Sequence, residues 1–194
     1  MNIIRKYSSC YLLLCLLIVN QLSVSAVFGK QPGGDFTLTD HNGQRFELKQ
    51  LRGKVVLLFF GYTACPDVCP GALSELAMVF NRMGDNADKV RGLFVSVDPE
   101  RDTPAVLKEY VSYFSGNIIG LTGSVEEIDA VVSQYHATYH LNKQEGKRYS
   151  VDHVANLYII DPDGILQAVV PYGFPAQHVQ GIVDHLIKVE SLKK

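Results

Sequence analysis

The 194-residue sequence has few cysteines, no excess of positive charge, no long apolar run, and no internal repeat or low-complexity tract. The missing repeats exclude a solenoid, and a chain of this length makes one compact domain with its own core. The charge balance excludes a nucleic-acid partner. Arg5 and Lys6 account for two of the eighteen Lys and Arg, so residues 27–194 carry sixteen against twenty Asp and Glu, a formal charge of −4. Of the four cysteines, Cys10 and Cys15 fall in the N-terminal segment, leaving the domain only Cys65 and Cys69. A bridge between these two would close a tiny loop with little entropic gain, so the pair points to chemistry rather than stapling.

The apolar run Cys10 to Val19 is shorter than the ~20 residues of a membrane span, and Asn20 and Gln21 interrupt it. Preceded by Arg5 and Lys6 and followed by Val24-Ser25-Ala26, it has the form of an export signal, with cleavage after Ala26 favoured. Leu22 to Phe28 can extend the hydrophobic segment, so a membrane anchor is the alternative reading of residues 1–26. The large Leu14 before Cys15 argues against lipid attachment there. Residues 27–194 are then an exported domain, in a compartment where disulfides persist.

What is present is an alternation of strands and helices. Asn42-Gly43 between Phe36–Thr39 and Arg45–Leu48 signals a β-hairpin. Val55 to Phe60 reads as a strand buried on both faces, leading through Gly61 to Ala64 into the cysteines and a helix from about Pro70 to Met83. Gly92 to Val97 is a second buried strand, followed by the turn Asp98 to Pro104 and a helix to Phe114. A short strand at Ile118–Leu121 precedes a capping box, Ser124-Val-Glu-Glu, and its helix. His136 to Ser150 reads as polar and irregular. Val154–Ile160 and Ile165–Val170 form a hairpin over Asp161-Pro-Asp-Gly, and an amphipathic helix from Pro175 to Val189 closes the chain. The layout is α/β and thioredoxin-like.

Cys65 precedes Pro66 and Cys69 precedes Pro70, and a residue before proline is pushed out of the α region. Both cysteines are therefore expected in a loop, with Pro70 at the first helical position and Cys69 as the N-cap, where the helix dipole favours thiolate. Such a pair can close to a disulfide, bind a soft metal or attack a partner's disulfide. The three-residue spacer gives the sulfurs room to clasp an ion, and thiolates select Cu(I) and zinc. His153 is the best-placed third ligand, between a polar loop and a core strand, and a neutral imidazole there is a competent copper ligand. His41, His136, His140, His178 and His185 read as surface or packing residues.

Gly61-Tyr-Thr-Ala-Cys-Pro-Asp-Val-Cys-Pro, then Val97-Asp-Pro-Glu-Arg-Asp-Thr-Pro, then Val151-Asp-His resemble, in order and spacing, the blocks of the Sco/SenC family of copper chaperones. The resemblance covers about Pro32 to Val189. It implies a thioredoxin-like fold, with a central mixed sheet flanked by helices and an N-terminal β-hairpin. It implies copper, as Cu(I) or Cu(II), on Cys65, Cys69 and His153. It implies assembly of cytochrome c oxidase, by delivering copper to the dinuclear copper centre of an oxidase subunit or by reducing that centre's cysteines. The implied partners are that copper-accepting subunit, other copper chaperones and thiol reductants. The implied place is the periplasm or the outer face of the inner membrane.

Asp98, Glu100, Arg101 and Asp102 match the family's acidic turn and are expected to form the turn and cap the helix rather than bind metal. Ala64 and Val154 depart from the family pattern, where histidine and a hydroxyl residue are common. The Val154 change bears on His153, whose ring needs an outer acceptor, with Asp152 or a backbone carbonyl as the candidates. A different class of function stays open: a metal-independent thiol-disulfide oxidoreductase or peroxide-reducing protein using Cys65 and Cys69, which has no use for His153. A closed zinc site lacks an obvious fourth ligand.

Overall fold

The computed structural model describes residues 31–142 and 149–193, so the signal or anchor reading of residues 1–26 lies outside the described residues. Strand β1 (Thr37–Asp40) and β2 (Arg45–Glu47) form the expected N-terminal hairpin. Next come β3 (Val55–Gly61), helix α1 (Val68–Met83), β4 (Val90–Ser96), α2 (Pro104–Ser112), β5 (Ile118–Thr122) and α3 (Val125–Gln134). The chain ends with β6 (Tyr139–Asn142), β7 (Ser150–His153), β8 (Asn156–Ile160), β9 (Leu166–Pro171) and α4 (Ala176–Ser191). Seven strands make one mixed sheet in the order β2-β1-β5-β4-β3-β8-β9.

β3 is buried along its whole length, and so its sequence is a continuous apolar run rather than an alternating one. It pairs parallel with β4 and antiparallel with β8. Leu57 and Leu93 sit fully buried at this centre, where truncating a leucine to alanine costs roughly 2–5 kcal/mol. Helix α1 packs on α4, α2 on β5 and α3 on β1, covering the sheet. Ser124 and Glu127 form the capping box of α3 read from the sequence.

The two hairpin loops are built alike. In each, an aspartate opens the turn (Asp40 or Asp161) and its carboxylate accepts backbone N–H bonds from residues two and four further on. The glycine three residues after it, Gly43 or Gly164, takes the positive φ the turn requires.

The described part of the segment read as irregular, residues 136–142 and 149–150, departs from the sequence reading. Instead of irregular chain, it contains β6 and the start of β7, paired antiparallel with Tyr139 opposite His153. The alternation is easy to miss because one face of this ribbon is polar: His140 and Asp152 are exposed while Val151 is buried. The ribbon is a sheet of its own, not laddered to the main one.

His41 has more than a surface role. Its Nδ1 accepts the Gly120 N–H at 2.9 Å, one residue beyond the point where β1 stops pairing with β5. Burial, opposed by Asp40 and assisted by Lys108, holds its pKa below 6.5. The unfolded chain therefore takes up a proton near pH 6.5 before the folded one does, so this contribution is complete above that pH and is lost as pH falls through the window beneath it. Urea unfolding at pH 7.5 and 5.5 is expected to show lower stability at the acid end, with a smaller drop in His41→Gln. An identical drop in both proteins would contradict this assignment.

Candidate metal and thiol site

The site forms where β3 ends. Beyond Gly61 the chain turns, with the Cys65 N–H bonded to the Tyr62 carbonyl at 3.3 Å, and enters α1 at Val68. Cys65 lies in the loop, as expected. Cys69 does not: it is the second residue of α1, and the N-cap is Asp67, whose carbonyl accepts the first helical bond from Gly71. Pro70 tolerates this because first-turn N–H groups have no helical partner to lose, and the carbonyl its ring would strike lies outside the helix.

This shift reverses the expected roles of the cysteines. The N–H groups at the mouth of α1 serve Cys65, not Cys69. Partial burial acts to raise the Cys65 thiol, but the backbone N–H groups of Asp67, Cys69 and Val68, with the Cys69 thiol, outweigh it and bring it below its ordinary value. Cys69 is fully buried, and that burial pushes its thiol far up despite the Tyr62 N–H. Both are free thiols. The thiolate-prone cysteine is Cys65 and the protected one is Cys69.

His153, the last residue of β7, closes the site. Its Nε2 stands 3.3 Å from Cys69 Sγ, and its ring meets Phe59 and Tyr62 edge-on at 5.9 Å each. Burial lowers its pKa, so the imidazole is neutral at pH 7. Nδ1 faces the Val154 carbonyl at 3.4 Å; with the proton there, Nε2 turns its lone pair to the cysteines. The outer acceptor is thus a backbone carbonyl, which valine supplies as well as a hydroxyl residue would, while Asp152 is engaged by Asn142 at 2.7 Å. Among the described residues, Cys65, Cys69 and His153 are the grouping that could hold a metal ion, with one donor atom each and all three within 4.8 Å of one another.

The acidic turn lies outside that grouping and does more than turn. Thr103, not an aspartate, caps α2. Asp102 is buried and accepts from Thr63 N at 2.9 Å, Thr63 Oγ1 at 2.6 Å and Ser96 Oγ at 2.6 Å, fastening the cysteine loop to the end of β4. Burial raises its pKa against these bonds. Asp98 pairs with Arg101 and accepts the Tyr149 hydroxyl at 2.6 Å. Sequence reasoning missed these contacts, since neither Thr63 nor Tyr149 carries a local signal for a partner so distant in the chain. Gly61 was also missed: a Cβ there would stand 2.8 Å from Cys69 Sγ and 2.7 Å from the Phe94 ring.

A mixed sheet flanked by helices, with an N-terminal hairpin and a cysteine pair at the mouth of the first helix facing a histidine, defines a thioredoxin-like protein with a soft-donor thiol site. The chain belongs to the SCO1/SenC family, which matches residues 25–188. Protein SCO2, mitochondrial, of Saccharomyces cerevisiae is 42% identical over 135 residues, covering 68% of this chain and 45% of the yeast protein. The chain spans about half the length of that relative. Bradyrhizobium japonicum ScoI, solved with copper bound, is 40% identical with a TM-score of 0.75, over 80% of this chain and 99% of that one. BsSco, described as having a disulfide switch and as a member of the Sco family of cytochrome c oxidase assembly proteins, is 26% identical with a TM-score of 0.66, over 81% and 94%.

Alkylation of the native, metal-free protein followed by peptide mapping is expected to label Cys65 first and Cys69 only after unfolding. Equal rates would contradict the division of roles. Gly61→Ala is expected to displace the Cys69 sulfur and cost roughly 1–3 kcal/mol in urea unfolding; unchanged stability with Cys69 still protected would show that the close approach is dispensable.

Proposed function

We propose that this domain is a copper chaperone of cytochrome c oxidase assembly, holding one copper ion between Cys65, Cys69 and His153 and passing it to the dinuclear copper centre of the oxidase. The observation that carries the reading is the convergence of two sulfurs and a neutral imidazole nitrogen within 4.8 Å. Thiolates favour Cu(I) and imidazole also suits Cu(II), so the donor set fits either state. Copper in ScoI, with 40% of the sequence shared, supports the same cargo here. A closed structural zinc site normally takes four protein ligands, and the grouping has three. Three ligands leave a side open, which suits an ion that is handed on.

Loading requires both thiols to lose their protons, so copper binding releases protons and strengthens as pH rises. Cys65 gives up its proton readily and offers the first attachment; Cys69 follows, its proton displaced by the metal in a buried setting. The export-signal reading puts the work outside the cytoplasm, in the periplasm or at the outer face of the inner membrane, with residues 1–26 cleaved or kept as an anchor.

The lowered thiol of Cys65 favours a second use of the site. As thiolate it attacks a disulfide in the recipient; Cys69 then attacks the mixed disulfide, leaving a Cys65–Cys69 bridge here and two thiols there. The disulfide switch described for BsSco supports this reading.

Metal analysis of the purified domain beside Cys65→Ser, Cys69→Ser and His153→Ala is expected to give one copper per chain in the parent. His153→Ala is expected to weaken Cu(II) binding by more than the roughly 10–100-fold that loss of an outer hydrogen-bond partner costs. Unchanged affinity in His153→Ala, beside turnover of a disulfide substrate, would replace the chaperone with a metal-independent thiol-disulfide oxidoreductase.

A further inference from the structure

Among the described residues β6 and β7 pair with each other and not with the main sheet, so no main-sheet ladder runs along the ribbon that carries His153. The β3–β8 register fixes where β7 leads into the main sheet, with the Ala155 carbonyl accepting the Tyr172 N–H at 2.8 Å; beyond that tie, the seat of the ribbon against the cysteine loop depends on side chains. Tyr139 anchors the β6 side, its hydroxyl donating to Asp129 of α3 at 2.6 Å. The β7 side is anchored at Tyr149, four residues before His153.

Three segments distant in the chain meet there on one guanidinium. Arg101 Nε–H donates to the buried Asp98 carboxylate. Its Nη1–H donates to the Tyr149 carbonyl at 3.1 Å. Its Cζ lies over the Tyr149 ring, 3.8 Å from the centroid, and 5.6 Å from the centroid of Tyr62, the ring that meets His153 edge-on. The Tyr149 hydroxyl closes the circuit on Asp98. We infer that Arg101 is a positioning residue for His153, clamping the start of β7 to the Asp98 turn and to the cysteine loop so that the imidazole is held beside Cys69.

The clamp needs arginine. A lysine ammonium can pair with Asp98, but it cannot also present a planar face to Tyr149 and a second, fixed N–H to its carbonyl. The inference rests on the copper reading only in its metal-dependent arm.

The test uses the mature protein without metal, comparing wild type, Arg101→Met and Arg101→Lys by NMR of the His153 ring. Seated between Phe59 and Tyr62, that ring carries ring-current shifts in the wild type. In both variants its resonances are expected to collapse toward ordinary histidine values, while Cys65 still alkylates ahead of Cys69. On Cu(II) titration, Arg101→Met is expected to lose about 10–100-fold in affinity. Adding it to His153→Ala is expected to change affinity by less than roughly twofold, because the two act through one group. Unshifted His153 resonances in the variants, or full additivity with His153→Ala, would overturn the inference. Should Arg101→Met fail to fold, Arg101→Lys, which keeps the pairing with Asp98, decides between the same outcomes. A wild-type domain that bound no copper would remove the proposed function and leave the metal-free resonances to decide the clamp.

Discussion

The antiparallel pairing of β3 with β8 is the constraint on which the site depends. Phe59 lies opposite Leu157, so the same register carried two residues further puts the end of β3 against the residues just before β8. The cysteine loop leaves from one of these ends and His153 arrives at the other. Residues 84 apart in sequence are thereby brought to 3.3 Å between Cys69 Sγ and His153 Nε2. Both faces of β3 are buried, so a slip of one residue would set every side chain against the wrong neighbours in a close-packed core, and packing therefore specifies the register. The site inherits its precision from the hydrophobic core.

Upon that frame, burial divides the labour of two chemically identical thiols. Cys65 sits outside the helix and collects its free N–H groups, and Cys69 sits inside and is shut away from water. One is suited to first contact with a metal or a disulfide, the other to holding what has been captured. Gly61 permits this arrangement by leaving room for the buried sulfur, and Asp102 ties the loop to β4 through Thr63. The proposed copper transfer and the proposed thiol reduction would both draw on this asymmetry.

Much of this was legible in the sequence. Continuous apolar runs marked β3 and β4 because a central sheet strand has no solvent face, and Asn42-Gly43 and Asp161-Pro-Asp-Gly marked the hairpins because their turns need a glycine at positive φ; the carboxylates that cap both turns appear only in the structure. The grouping of Cys65, Cys69 and His153 was legible through the family resemblance of its three motif blocks, and His153 stood out among six histidines by its place before a core strand. What escaped was non-local. Pre-proline sterics placed Cys69 before the helix, yet a first-turn proline costs nothing, and whether a cysteine is buried is decided by packing against β3 and His153. The β6–β7 ribbon hid behind its polar face. Arg101 read as a turn residue because its partner Tyr149 lies 48 positions away.

The central claim is that two sulfurs and one imidazole nitrogen meet on a single copper ion. X-ray absorption at the copper edge of the loaded domain measures that shell directly. The account requires two sulfur scatterers and one histidine nitrogen, with the imidazole signature absent in His153→Ala and one sulfur lost in Cys65→Ser or Cys69→Ser. A shell of nitrogen and oxygen alone, or one that His153→Ala leaves unchanged, would contradict it.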